Sequence, residues 1–233
     1  MEMIAAGISR RYLRTSAEAN YFEAVHPTDL VLRGGELTVL TGRSGSGKTT
    51  LLTMLAGLLL PSSGSVTLRG QDLYRLSDAA LSGLRKQHFA VIPQGVSVVS
   101  SLSVMENILF PAALAGKEMP VRRAEEIMER LDILSLRNAR PGELSGGELR
   151  RMAVTRALAA GADFIFADEP TADLDDGNTE TVLRLLREAA EEGAAVFVVT
   201  HESDAGAYAH RMLRMNAGML AETQTADNTR TAE

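Results

Sequence analysis

The densest chemistry in the chain lies in nine consecutive residues, Gly42-Arg43-Ser44-Gly45-Ser46-Gly47-Lys48-Thr49-Thr50. A glycine, four free positions and then Gly-Lys-Thr is the spacing of a phosphate-binding loop. Glycines let backbone N–H groups turn toward phosphate oxygens where a Cβ would block the approach. Lys48 is suited to reach β- and γ-phosphates, and the Thr49 hydroxyl to ligand Mg²⁺. By itself the loop indicates a nucleotide and not its use. A second pattern is Phe164-Ile165-Phe166-Ala167-Asp168-Glu169, four apolar residues running into two acids. Asp168 suits a second Mg²⁺ contact opposite Thr49, and Glu169 can orient or polarise a water toward a γ-phosphate. Alone this is a common strand entering an acidic turn; the glycine loop gives it weight. The third is Leu144-Ser145-Gly146-Gly147-Glu148. Ser145 is a good N-cap and Glu148 completes a capping box. Two glycines beside the cap lower helix propensity, which makes sense where a phosphate must approach the backbone.

These residues need elements to hold them. Residues 37–41 are apolar and β-branched, a buried strand leading into the loop, and 50–57 read as a helix closed by Gly57. Residues 3–9 read as a first strand, 14–20 as a loop, and 22–32 as a second strand interrupted near Pro27, with Gly34-Gly35 as a turn. Residues 65–69 alternate like a strand, 78–86 suit a short helix, and 89–92 suit a strand ending at Pro93-Gln94. The pattern then turns helical. Residues 103–115 form one expected helix. Residues 120–134 form another, with Val121, Ala124, Ile127, Met128 and Leu131 on one side and a charged, solvated face opposite. Strand, helix and strand return at 164–167, 175–190 and 195–200, and 212–215 with 219–222 suit a last hairpin.

Composition excludes several classes. The chain has 233 residues, 45% hydrophobic and 23% charged, as in an ordinary globular protein. One domain over 1–223 is expected, with a helical subdomain over about 95–160 and a frayed polar tail at 224–233. A net charge of −6 argues against a dominant nucleic-acid surface. The absence of cysteine removes disulfides, thiolate metal sites and a cysteine nucleophile. No apolar run reaches membrane-span length, and the N-terminus lacks the apolar stretch of a signal peptide, so a soluble intracellular protein is expected.

Together, the loop at 42–49, Gln94, Leu144-Ser-Gly-Gly-Glu148, the strand ending in Asp168-Glu169, Asp173-Leu-Asp175 and His201 resemble the ATP-binding cassette (ABC) ATPases over nearly the whole chain. The resemblance implies an α/β fold: a P-loop NTPase core with an inserted helical subdomain and an N-terminal antiparallel β region. It implies ATP and Mg²⁺ as cofactors, with Gly42 to Thr50 around the phosphates and Thr49, Gln94 and Asp168 around the metal. Lys48, Gln94, Glu169 and His201 would serve catalysis, Gln94 as the glutamine joining the lobes and His201 as a contact to the γ-phosphate. Ser145, Gly146 and Gly147 would touch the nucleotide held by the other subunit of a head-to-tail homodimer, with Asp173 and Asp175 coupling the two sites. Tyr12 matches the aromatic that stacks on adenine, with Tyr21 as competitor.

The expected partner is a separate transmembrane permease, which would hold the protein on the inner face of the cell membrane. Ser82-Gly-Leu-Arg85, the stretch from Ser103 to Ile108 and Asn138-Ala-Arg-Pro-Gly-Glu143 are similar to the branch serving lipoprotein release, macrolide export and cell division. Glu148, Leu149-Arg150 and Ala167 depart from the commoner residues without removing a catalytic group. Two other functions compete. An ABC-type ATPase acting on nucleic acid or ribosomes would usually carry a coiled coil, a second cassette or a basic insert, and the sequence has none. A non-catalytic nucleotide-binding regulator conflicts with the full set of Lys48, Asp168, Glu169 and His201.

Overall fold

The computed structural model describes residues 1–15, 20–202 and 204–223. The expected tail at 224–233, and residues 16–19 of the expected loop at 14–20, lie outside them. Two sheets and a helical layer make up the fold. The first sheet is antiparallel, ordered β2-β1-β4-β5, from β1 (Glu2–Thr15), β2 (Asn20–Arg33), β4 (Ser63–Leu68) and β5 (Gln71–Asp72). The second holds β3 (Leu37–Thr41), β6 (Phe89–Ile92), β7 (Phe164–Asp168), β8 (Ala195–Thr200), β9 (Arg211–Asn216) and β10 (Met219–Thr223). Its order is β10-β9-β3-β8-β7-β6, parallel except for the β9–β10 hairpin.

The parallel sheet is buried on both faces, which is why its strands read as continuous apolar runs. Period-two alternation then sorts their side chains. Leu37, Val39, Ile165, Ala167, Val196 and Val198 join one core with the helices of the insert. Leu40, Phe164, Phe166, Phe197 and Val199 join the other, with α1 (Lys48–Leu55) and the antiparallel sheet. Ala167, small for its strand, packs at 0% exposure in the same core as Val154 and Leu158. On the opposite face Phe89 meets Phe164 and Phe166 edge-on at 5.6 and 5.4 Å.

Between β6 and β7 the chain forms α3 (Val104–Ala115), α4 (Val121–Arg130) and α5 (Gly146–Ala159). Ser103 and Glu106 form one capping box, Ser145 and Glu148 another. α4 stops four residues before the sequence periodicity does. Leu131 and Ile133 are still fully buried, but Asp132 takes a left-handed φ of 52° between them. The charged face of α4 is solvated, with Arg122, Arg123, Glu126, Glu129 and Arg130 all exposed; at its margin Arg130 makes two bonds, 2.6 and 2.8 Å, to Glu188 of α6 (Asp176–Glu191), and Arg123 reaches Glu192 just beyond it. β1 and β2 are longer than their sequence patterns suggest. They pair from Glu2↔Arg33 to Thr15↔Asn20 through several register shifts, and Pro27 does not break the strand. Proline is tolerated there because β2 is an edge strand of its sheet. α2 (Asp78–His88) completes the set, capped by Ser77. No described helix is long and apolar enough to cross a membrane.

Candidate nucleotide site

The C-terminal ends of β3, β6, β7 and β8 lie at one edge of the parallel sheet, and that topology gathers the chemistry. Thr41 leads into the glycine loop, Ile92 into Gln94, Asp168 into Glu169, and Thr200 into His201. Ligands of open α/β sheets bind at this edge. Here it opens as a cleft of about 750 Å³ lined by the loop from Ser44 to Thr50, Gln94, Asp168, Glu169, Asp173, His201 and Tyr12.

The loop is fixed from behind. A Cβ on Gly47 would stand 2.1 Å from the Ala24 carbonyl, and one on Gly42 would stand 2.3 Å from that of Met215. Gly47 caps α1 with φ of 104°, a conformation open to glycine and costly for other residues. The Lys48 ammonium, 7% exposed, donates to the carbonyls of Gly42 and Arg43 at 2.7 and 3.1 Å. Those two residues therefore serve the site through their backbone.

Across the cleft Asp168 is 3% exposed. Burial pushes its carboxyl above the usual range and outweighs the Thr49 hydrogen bond, which pulls it down together with Lys48 and Arg150. Glu169 has a left-handed φ of 50°, and its N–H donates to Val199 at 2.8 Å. Strain of this kind in a non-glycine residue clusters at functional sites. Both carboxylate oxygens are held, Oε2 by the Thr200 hydroxyl and Oε1 by His201 Nδ1, each at 2.9 Å. The hydrogen bond to Glu169, and then its charge, raise the His201 pKa above the ordinary value.

Two groups suit the site to a phosphorylated ligand and a hard cation. Ser46 Oγ and Arg150 Nε, both on cleft-lining residues, are buried without a hydrogen-bond partner among the described residues. Thr49 and Asp168 are linked oxygen donors, the kind Mg²⁺ prefers. The described residues contain no group of three acids, histidines or cysteines able to cage a metal, and Mg²⁺ with a nucleotide needs none because phosphates and water complete its shell.

Ser145, Gly146 and Gly147 do not line this cleft. They sit at the start of α5 with Ser145 and Gly146 exposed. Gly147 is tight against the Asp173 carbonyl, where a Cβ would come to 3.3 Å, whereas Gly146 faces open space. Tyr12 lines the cleft with the Arg10 guanidinium 4.8 Å from its ring centroid, and Tyr21 does not line it. Sequence reasoning missed Phe22, which pairs with Tyr12 across the strands and lines the same cleft. It also missed the part played by Arg150, 4% exposed, which donates to Pro93 at 2.9 Å and to the Gln94 carbonyl. No local pattern announces either, since each depends on strand pairing or on a contact 56 residues away.

The fold and the cleft define a P-loop nucleotide-binding protein with the groups for phosphoryl transfer to water. The model of the ABC transporter family matches residues 25–172, more than half of the chain. A probable syringafactin export ATP-binding/permease protein, SyfD, of Pseudomonas syringae is 37% identical over 92% of this chain. A macrolide export ATP-binding/permease protein, MacB, of Rhodopseudomonas palustris is 38% identical over 94% of it. The chain spans about a third of the length of these relatives, 33% of each. The ATP-binding cassette MJ0796, solved as a dimer in a post-hydrolysis state with ADP and Pi, superposes with a TM-score of 0.87 at 26% identity. That match covers 96% of this chain and all of the other. This chain belongs to the ABC transporter family, and it is an ATPase of that family.

Proposed function

We propose that two copies of this domain close head to tail on two Mg-ATP molecules, and that closure and reopening drive a transmembrane permease. The observation that carries this reading is the convergence of Lys48, Thr49, Asp168, Glu169 and His201 at one sheet edge, while Ser145 and Gly146 stand exposed outside the cleft. The phosphates would lie along the N–H groups of the loop at the start of α1, where the helix dipole adds positive charge. Tyr12, backed by Phe22, would stack on adenine. Lys48 would exchange a carbonyl partner for phosphate oxygens. Mg²⁺, held by Thr49 and Asp168 and sensed by Gln94, would neutralise charge on the β- and γ-phosphates. Glu169 would orient the attacking water, and His201 would pass from Glu169 toward the γ-phosphate. Ser145, Gly146 and Gly147 of the second copy would close the site. Catalysis by such a set is positioning and electrostatic stabilisation.

The dimeric state of the MJ0796 cassette supports the paired arrangement. The relatives, named as export ATP-binding/permease proteins, support a membrane partner, a place on the inner face of the membrane, and transport over work on nucleic acid. The test is Glu169→Gln. It should bind ATP with wild-type affinity, lose phosphate release by more than about 100-fold, and accumulate as an ATP-bound dimer. Full turnover by this variant would refute the assignment of Glu169.

A further inference from the structure

Glu169 is held by a relay that reaches further than the two residues touching it. Thr200 ends β8 and is fully buried. Its Oγ1 accepts the backbone N–H of Glu202 at 3.0 Å, so its own proton is directed to Glu169 Oε2. The Glu202 carboxylate in turn accepts the hydroxyl of Thr171, 2% exposed, at 2.7 Å. Thr171 follows Glu169 by two residues, so Thr171, Glu202, Thr200 and Glu169 form a closed circuit joining the segment after β7 to the segment after β8. A valine at 200 would fill the same volume and suit the strand as well. The buried hydroxyl therefore has its purpose in what it bonds, and it bonds the acid beside the phosphate loop.

We propose that Thr200 is a positioning residue for hydrolysis. It fixes the rotation of the Glu169 carboxylate, and the Thr171–Glu202 clasp fixes the polarity of the Thr200 hydroxyl. The proposal rests on Glu169 as the group that orients water. Without the relay, His201 alone among the described residues holds the carboxylate, and His201 is exposed and free to turn toward a nucleotide. With the relay, the carboxylate keeps its orientation when His201 leaves it. Thr200 itself is neutral and fully buried, so replacing its hydroxyl by a methyl removes no charge from the cleft and should not alter nucleotide affinity.

Thr200→Val, Thr200→Ser and Glu169→Gln are to be compared in the full chain by steady-state phosphate release, by equilibrium ATP binding, and by the fraction of ATP-bound dimer on size exclusion. Thr200→Val should lower kcat about 10- to 100-fold, as a misdirected catalytic group does, with KM and the ATP Kd within about twofold of wild type. Because turnover slows while binding persists, the ATP-bound dimer should accumulate. Thr200→Ser, which keeps the hydroxyl, should restore kcat to within about threefold. Adding Thr200→Val to Glu169→Gln should change the residual rate less than twofold, because the two act as one unit. If Thr200→Val does not fold, Thr200→Ala against Thr200→Ser makes the same comparison with a single atom changed. Wild-type kcat in the variant lacking the hydroxyl, with Glu169→Gln inactive, overturns the relay and leaves Glu169 in place. Full turnover by Glu169→Gln overturns the reading beneath it. A fall in kcat matched by a rise in ATP Kd also overturns the proposal, since it marks general damage to the cleft.

Discussion

Gly47→Ala tests whether the phosphate loop works through its exact distance from the strand behind it. The new Cβ would stand 2.1 Å from the Ala24 carbonyl, and real Cβ contacts essentially never fall under 3.0 Å. The loop or β2 must therefore yield by at least the difference, 3.0 − 2.1 = 0.9 Å. Hydrogen bonds from loop N–H groups to phosphate span only about 2.7–3.2 Å, so such a movement breaks at least one of them. A bond to a charged group contributes about 1.5–3 kcal/mol, so losing one weakens ATP about 10- to 150-fold. Gly35→Ala is the control. Gly35 also has a left-handed φ, 89°, but it lies outside the cleft and its Cβ would meet nothing within 4 Å. It should cost only the backbone strain, about 1–2 kcal/mol of stability. Titration with a fluorescent ATP analogue gives the affinities, and a thermal melt gives the stabilities. Equal ATP affinities for Gly47→Ala and Gly35→Ala would refute the reasoning, because of the two only Gly47 stands in the loop against a carbonyl.

Tyr74 lies with its hydroxyl 2.5 and 2.7 Å from the carbonyls of Met54 and Leu59, at the end of α1, and burial drives its pKa far above the ordinary tyrosine value. Tyr74→Phe should lower stability by about 1–2 kcal/mol in a denaturant melt, from the loss of one buried hydrogen bond and the exposure of a carbonyl to apolar surroundings. His210 accepts the Leu37 N–H through Nδ1 at 2.9 Å. Its pKa is lowered first by burial and then by Arg187, against the opposing charges of Glu191 and Glu36. With the folded value below the unfolded one near 6.5, stability is full above that pH and falls as pH drops through the folded value. The melting temperature of the wild type should therefore fall more between pH 7 and pH 5 than that of His210→Gln; parallel falls would contradict the neutral acceptor.

The parts of the site written in consecutive residues were legible in the sequence. The loop at 42–50, the strand into Asp168-Glu169 and the cap at Ser145 each fix their local conformation by their own residue types, and the structure forms all three. Pro27 misled because a proline breaks a strand only where its missing N–H is needed, and β2 lies at a sheet edge. The end of α4 misled because burial of Leu131 and Ile133 continues the apolar rhythm past the last helical turn. Phe22, Arg150 and the Thr171–Glu202–Thr200 circuit were hidden for a different reason. Each gains its meaning from a partner brought close by sheet pairing or by the packing of α5, 31 or 56 residues away in the last two cases. A single sequence carries no spacing rule for such contacts.

The central claim is that the glycine loop of one copy faces the Ser145 end of α5 in another. The chain has no cysteine, so two introduced thiols report without background. Arg43→Cys and Gly146→Cys, both at exposed positions, are placed on separate chains in the Glu169→Gln background, and a short bismaleimide is added with and without Mg-ATP. The account predicts a crosslinked dimer only when the two chains are mixed, and only with Mg-ATP. A dimer crosslinked as readily from either chain alone, or a mixture that never crosslinks while ATP is bound, would contradict it.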